Sequence, residues 1–449
     1  MRAKACFVLV VLVSFVFAVT LTDASAQSNP RFLQLGSAKG ALYTPDSGPA
    51  PHVGIVLMHW FANSMSNLAS KELAKRGFLA LAMNSRFENN PTKVMWEELA
   101  LDVKAGVDFL RSQPGITAVV LWAHSGGGPT MAFYQAIAEA GPSYCSGSNK
   151  LFPCTPSKLT GLNPADGVIF ADAHAGNSVV SMLRGLNPAV LNESQPYKLK
   201  KKLDPFDPEN GFNPDGSSHY SEAFKEAYFR GQAERMNELI DRALRIQKRI
   251  EDGKWVYPDD DIFLIPRCGY AFLGTDVNDL RRMDLSVAHT TLRPHKLLKN
   301  DGTIETQIIE SVRVPELGLE KKSPTFINGT RIFTVNSFLS SFSIRATHSM
   351  DPAQIDWCSS NSSVPCMVRV ITVPQLHAFM TGFYLIREGE DNYDAAVAAG
   401  VCTDLDSIAI EGSTHGFTPC TDCESTPGQY SNVTKNWFDY VRDWINARF

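Results

Sequence analysis

Val119-Val120-Leu121-Trp122-Ala123-His124-Ser125-Gly126-Gly127-Gly128 is an apolar run that breaks into small residues around one serine. Pro129 then opens a segment with helical character. A strand, a sharp turn carrying a serine, and a helix make the layout of a nucleophile elbow. The turn holds the hydroxyl clear of both elements, and bulky side chains two places either side would collide. Ala123 and Gly127 occupy those places. Gly126 leaves the amide after the serine open to a developing oxyanion. The usual pattern is Gly-x-Ser-x-Gly, and Ala123 replaces its first glycine with the smallest side chain available. The competing reading is a glycine-rich loop with an incidental serine, and the flanking strand and helix signals argue against it.

Outward from the elbow, apolar runs alternate with helical patterns. Val53–His59 (VGIVLMH) and Phe78–Met83 (FLALAM) read as strands buried on both faces. Ser66–Arg76 and Met95–Gln113 read as helices, and Gly167–Ala171 (GVIFA) as a further strand. Alternation of this kind implies a mostly parallel sheet with helices on both faces. It stops over residues 175–345, where Leu203–Ser217 is rich in Asp, Pro, Asn and Gly, and Ser221–Gly253 reads as a long amphipathic helix or helix pair. Residues 262–345 are strand-like and loop-rich. The sheet pattern is expected to return at Met367–Val373 (MVRVITV) and Ser407–Ile410, with Asn436–Phe449 as an amphipathic closing helix.

The chain has 449 residues, ordinary apolar content and a formal net charge of −5, so no nucleic-acid partner is expected. Arg2 and Lys4, the apolar run Ala5–Ala18 and Ala24-Ser25-Ala26 have the order of a secretory signal peptide, residues 1–26, cut before Gln27. The expected location is secreted or periplasmic, with no stable membrane insertion after cleavage. Eight of the nine cysteines follow that segment, and an even number in an exported chain suggests disulfides. Cys145 with Cys154, and Cys358 with Cys366, would close short loops. Cys420 and Cys423 read as bridge-formers with open partners, since no second pair gives zinc-finger spacing. Asn192, Asn328, Asn361 and Asn432 lie in N-x-Ser/Thr sequons.

With the elbow at Ser125 and a late Glu411-Gly412-Ser413-Thr414-His415-Gly416-Phe417 loop, the chain resembles the α/β-hydrolase fold family over roughly residues 50–174 and 366–449. The resemblance implies a core in two parts, 27–174 and 346–449, with a cap or lid insertion over 175–345. It also implies a serine hydrolase, with Ser125 as nucleophile and His415 as the general base that a weakly nucleophilic hydroxyl needs. The family usually takes its acid after the penultimate strand, where this chain has none directly. Asp172, at the end of GVIFAD, fits the minority placement one strand earlier. Glu390 is the alternative acid and Glu388 the third choice. Gly126 and Phe61 amides are the candidate oxyanion donors, Trp60 standing where the family often has glycine. The activity implied is carboxylic-ester hydrolysis on a small-molecule ester, with no cofactor and no metal. An amide or peptide hydrolase on the same residues, or a non-catalytic binding protein with this fold, are the alternatives.

Overall fold

The computed structural model describes residues 30–269, 277–322 and 329–449. The expected signal peptide and the Asn328 sequon lie outside the described residues. In chain order the strands are β1 (Arg31–Leu35), β2 (Ala38–Tyr43), β3 (Val53–His59), β4 (Leu79–Asn84), β5 (Ala118–Ser125), β6 (Gly167–Ala173), β7 (Ile262–Pro266), β8 (Thr290–Leu298), β9 (Ile304–Glu310), β10 (Thr330–Thr334), β11 (Arg345–Ala346), β12 (Ile355–Asp356), β13 (Gln375–Met380) and β14 (Leu405–Ile410). The α-helices are α1 (Leu68–Ala74), α2 (Trp96–Arg111), α3 (Gly127–Ala140), α4 (Glu222–Glu251), α5 (Val335–Ser337), α6 (Val364–Met367), α7 (Ile386–Ala399) and α8 (Val433–Asn446).

One ten-stranded sheet has the order β1-β2-β4-β3-β5-β6-β13-β14-β8-β9. From β4 to β8 neighbouring strands run parallel, and antiparallel pairs close both edges. The reason is visible in burial. All seven residues of β6 and all six of β4 are buried, which leaves neither strand a solvent face. Alternate residues then feed two cores. Val56, Met58, Val119 and Leu121 pack on one face with the apolar sides of α2 and α3. Val53, Ile55, Leu57, Val120 and Trp122 pack on the other with α1 and α8. Each such aliphatic side chain contributes about 1.5–3 kcal/mol on burial, so the elbow strand is held from both sides.

Two expectations are corrected. Met367–Val373 is not a strand: α6 ends at Met367, a 3-10 turn covers Val368–Val370, and the sheet is rejoined one run later by β13. Pro365 sits in the first turn of α6, where its fixed φ suits a helix start. The Cys358–Cys366 disulfide ties the same turn. His377 therefore lies inside β13. Second, residues 175–345 do not all stand apart from the sheet, because β8 pairs with β14 and β9 with β8. Cys145–Cys154 pair as expected, and Cys420 pairs with Cys423.

Candidate active site

Ser125 ends β5 with φ +56°, in the left-handed region that a residue with a side chain enters at a cost on the order of 1–3 kcal/mol. The β5–β6 register shifts between His124 and Ser125, and the Ser125 carbonyl accepts from the His174 amide at 3.0 Å. The strained turn is thereby pinned to the end of β6. Helix α3 starts directly after it with no side-chain cap, so its positive end faces the serine. The glycines allow close packing here. A methyl on Gly127 would sit 2.6 Å from the Met58 carbonyl, and one on Gly128 2.7 Å from Ala173 Cβ.

Asp172, also at positive φ (+47°), is the penultimate residue of β6. Its Oδ1 accepts from the Met380 amide at 3.1 Å, and its Oδ2 lies 2.5 Å from His415 Nδ1. The carboxylate is sealed, whereas the His415 side chain is 25% exposed. His415 rides on the loop after β14. The Phe383 ring stacks on it at 4.3 Å, and its carbonyl accepts from His124 Nε2 at 2.9 Å. With Nδ1 donating to Asp172, its Nε2 is left as an acceptor. Ser125 and His415 both line a cavity of about 200 Å³, together with His59, Ala62, Asn63, Ser64, Asn67 and His124.

One imidazole at the site was missed by the sequence reading. His174 Nε2 lies 3.2 Å from Ser125 Oγ. It follows β6 directly, two positions after Asp172. Burial, with His415 and then Arg281 nearby, pulls its pKa down to about 3. A ring that resists protonation so strongly is a poor proton acceptor near neutrality, and no carboxylate is bonded to it among the described residues. The ring oriented by Asp172 is better suited to that task.

The remaining candidates separate from this cluster. The Phe61 amide, expected to face the oxyanion, instead donates to His59 Nδ1 at 3.3 Å, and the Ala62 amide donates to the same atom at 3.1 Å. Glu390, the alternative acid, accepts from the Leu292 and Arg293 amides and from His295 at 3.2 Å. Glu388 is bound by Arg281 at 2.6 Å, by Arg184 and by the Ala175 amide at 3.1 Å. Both carboxylates are spoken for by structural partners. Among the described residues no group of three or more His, Cys, Asp or Glu is placed to hold a metal ion, and no helix is long and apolar enough to cross a membrane.

No protein-family model matches the chain, and no curated protein does. Among solved structures, brefeldin A esterase, a bacterial homologue of human hormone sensitive lipase, aligns over 95% of this chain and 79% of its own, at 10% identity and a TM-score of 0.40. Est1E from Butyrivibrio proteoclasticus aligns over 93% and 100%, at 10% identity and a TM-score of 0.38. A proline iminopeptidase from Mycobacterium smegmatis aligns over 94% and 98%, at 12% identity and a TM-score of 0.38. The fold is read from the chain itself. With a parallel sheet wrapped by helices and a serine raised on a strained turn between its central strand and α3, this chain has the α/β-hydrolase fold.

Proposed function

We propose that this protein is a serine hydrolase that cleaves carboxylic esters through an acyl-enzyme. Ser125 Oγ attacks the ester carbon as its proton passes to His415 Nε2. Asp172 holds the ring in the tautomer that can accept that proton and stabilises the imidazolium formed. The carbonyl electron pair moves to oxygen, where the Gly126 amide at the start of α3 donates to it. Collapse expels the alkoxide, which takes the proton from His415. A water deprotonated by His415 then releases the acid. His174 Nε2 holds the serine hydroxyl in place. The observation that carries this reading is the 2.5 Å Asp172–His415 contact beside a cavity that Ser125 also lines. The aromatic neighbours Trp60, Phe61 and Phe383 favour an ester with an apolar group. Three disulfides suit a chain that works in an oxidising compartment outside the cytosol.

A fluorophosphonate probe tests the reading. It should label the wild-type protein and fail on Ser125→Ala, and the same substitution should abolish hydrolysis of short-chain p-nitrophenyl esters. A wild-type protein that neither takes the label nor cleaves any ester in a panel of graded chain length would instead be a binding protein with this fold.

A further inference from the structure

Gly126 has an ordinary backbone, with φ −66°, so its lack of a side chain is not explained by conformation. Its surroundings explain it. A methyl built there would sit 2.6 Å from His59 Nε2 and 2.5 Å from Trp60 Nε1. Two ring nitrogens therefore converge on the face of the residue that follows the serine. Only a bare Cα admits them.

The protonation of His59 follows from its other nitrogen. Nδ1 receives the amide protons of Phe61 and Ala62, so it is an acceptor and the ring proton sits on Nε2. The ring also stays neutral. Burial, with His174 and His415 close by, pulls its pKa down to about 3. The Trp60 indole N–H is buried and has no hydrogen-bond partner among the described residues. A buried donor without an acceptor is costly and calls for an explanation. An oxygen that gains negative charge during the reaction would supply the missing acceptor.

We infer that the oxyanion is held by side chains on the β3 side of the site: His59 Nε2–H is the second donor beside the Gly126 amide, and the Trp60 indole N–H backs it. This rests on the ester-hydrolase reading above and supplies the second donor once expected from the Phe61 amide. As Ser125 Oγ bonds to the acyl carbon, the π electrons of the carbonyl move to its oxygen, and that oxygen accepts the His59 hydrogen bond. No proton leaves His59, and the bond weakens again when the carbonyl re-forms. A neutral donor suits this role, because it offers a hydrogen bond without consuming the proton that His415 carries. The backbone amides of Phe61 and Ala62 serve to aim the ring.

Two substitutions separate donation from architecture. In His59→Asn, Oδ1 stands where Nδ1 was and still accepts from the loop amides, but no group reaches the Nε2 position. In His59→Gln, the amide nitrogen reaches that position. The Asn variant should keep the wild-type melting temperature and KM while kcat falls on the order of 10²–10³-fold, the loss seen when one oxyanion donor is removed. The Gln variant should recover at least tenfold over Asn. An Asn variant within about threefold of wild-type kcat, or Asn and Gln variants equally impaired, overturns the inference. If the Asn variant does not fold, Gln decides alone: a folded Gln variant that loses more than about a hundredfold in kcat refutes donation from this position. Fluorophosphonate labelling of the wild type keeps the two levels apart. Labelled wild type with an unimpaired Asn variant removes only the role of His59, while unlabelled, inactive wild type removes the hydrolase reading itself.

Discussion

Asp172 and Glu388 are both sealed carboxylates with basic partners, and they do opposite things. Asp172 meets an imidazole whose side chain is 25% exposed and lines a cavity. Glu388 meets Arg184 and Arg281, whose side chains are 2% and 0% exposed and whose charge is permanent. Arg281 also bonds Asp279 at 2.6 Å, which makes a closed network of fixed charges. In the role proposed for Asp172, a carboxylate orients a ring that faces a reactant. Against guanidiniums in a dry interior it neutralises charge and fixes position.

The largest expected effect breaks this comparison at the Asp172 end. Asp172→Asn keeps the oxygen that accepts from Met380 but destabilises the tautomer of His415, so kcat should fall on the order of 10⁴-fold, the loss known for the same change in the Ser-His-Asp template. Ester turnover measured on a folded variant checks it, and near-normal turnover would move the acid elsewhere. At the other end, Glu388→Gln leaves two buried guanidiniums short of one negative charge. Chemical denaturation should show a loss of about 3–5 kcal/mol, with kcat of the folded fraction within a few-fold of wild type. A large drop in kcat at unchanged stability would make the interior network part of the site.

A third case sharpens the contrast, because it has no charged partner among the described residues. His377 lies buried in β13 against Phe170 at 4.6 Å, with its pKa pulled down to about 3 by burial. His59 and His174 are held near the same value. An ordinary imidazole protonates near pH 6.5. Between 6.5 and 3 the unfolded chain therefore binds protons that the folded chain refuses, so stability is full above the window and falls as pH drops through it. Acid titration followed by circular dichroism should show this. His377→Gln should move the midpoint down by less than about one pH unit, the smallest of these effects.

The region around Ser125 was legible because local rules and tertiary demands agree there. The apolar run, the small residues and the helix start all serve one turn, and α2 and α4 also fall where their periodicity puts them. Asp172 could be nominated because it ends a strand. Two similar apolar runs behaved differently for reasons outside their own pattern. Val119–Ala123 entered the sheet, whereas Met367–Val373 followed a proline and a disulfide into helical turns. Periodicity cannot separate a buried strand from a buried helical turn at this length. His59 escaped for another reason. The role proposed for it depends on which nitrogen the Phe61 and Ala62 amides engage, and that is set by a loop conformation no spacing encodes. The joining of β8 to β14 unites residues more than a hundred positions apart, which leaves no local trace.

That last pairing bears on anyone wishing to shorten the polypeptide. Excising residues 175–345 to leave a minimal core would remove β8 and β9 along with α4, β7 and β10. Strand β14, buried along Ser407–Ile410 and carrying the His415 loop, would become a bare margin with unsatisfied amides and carbonyls. Such margins recruit other chains and seed aggregates. Truncation should therefore stop short of Thr290 and resume the native path there.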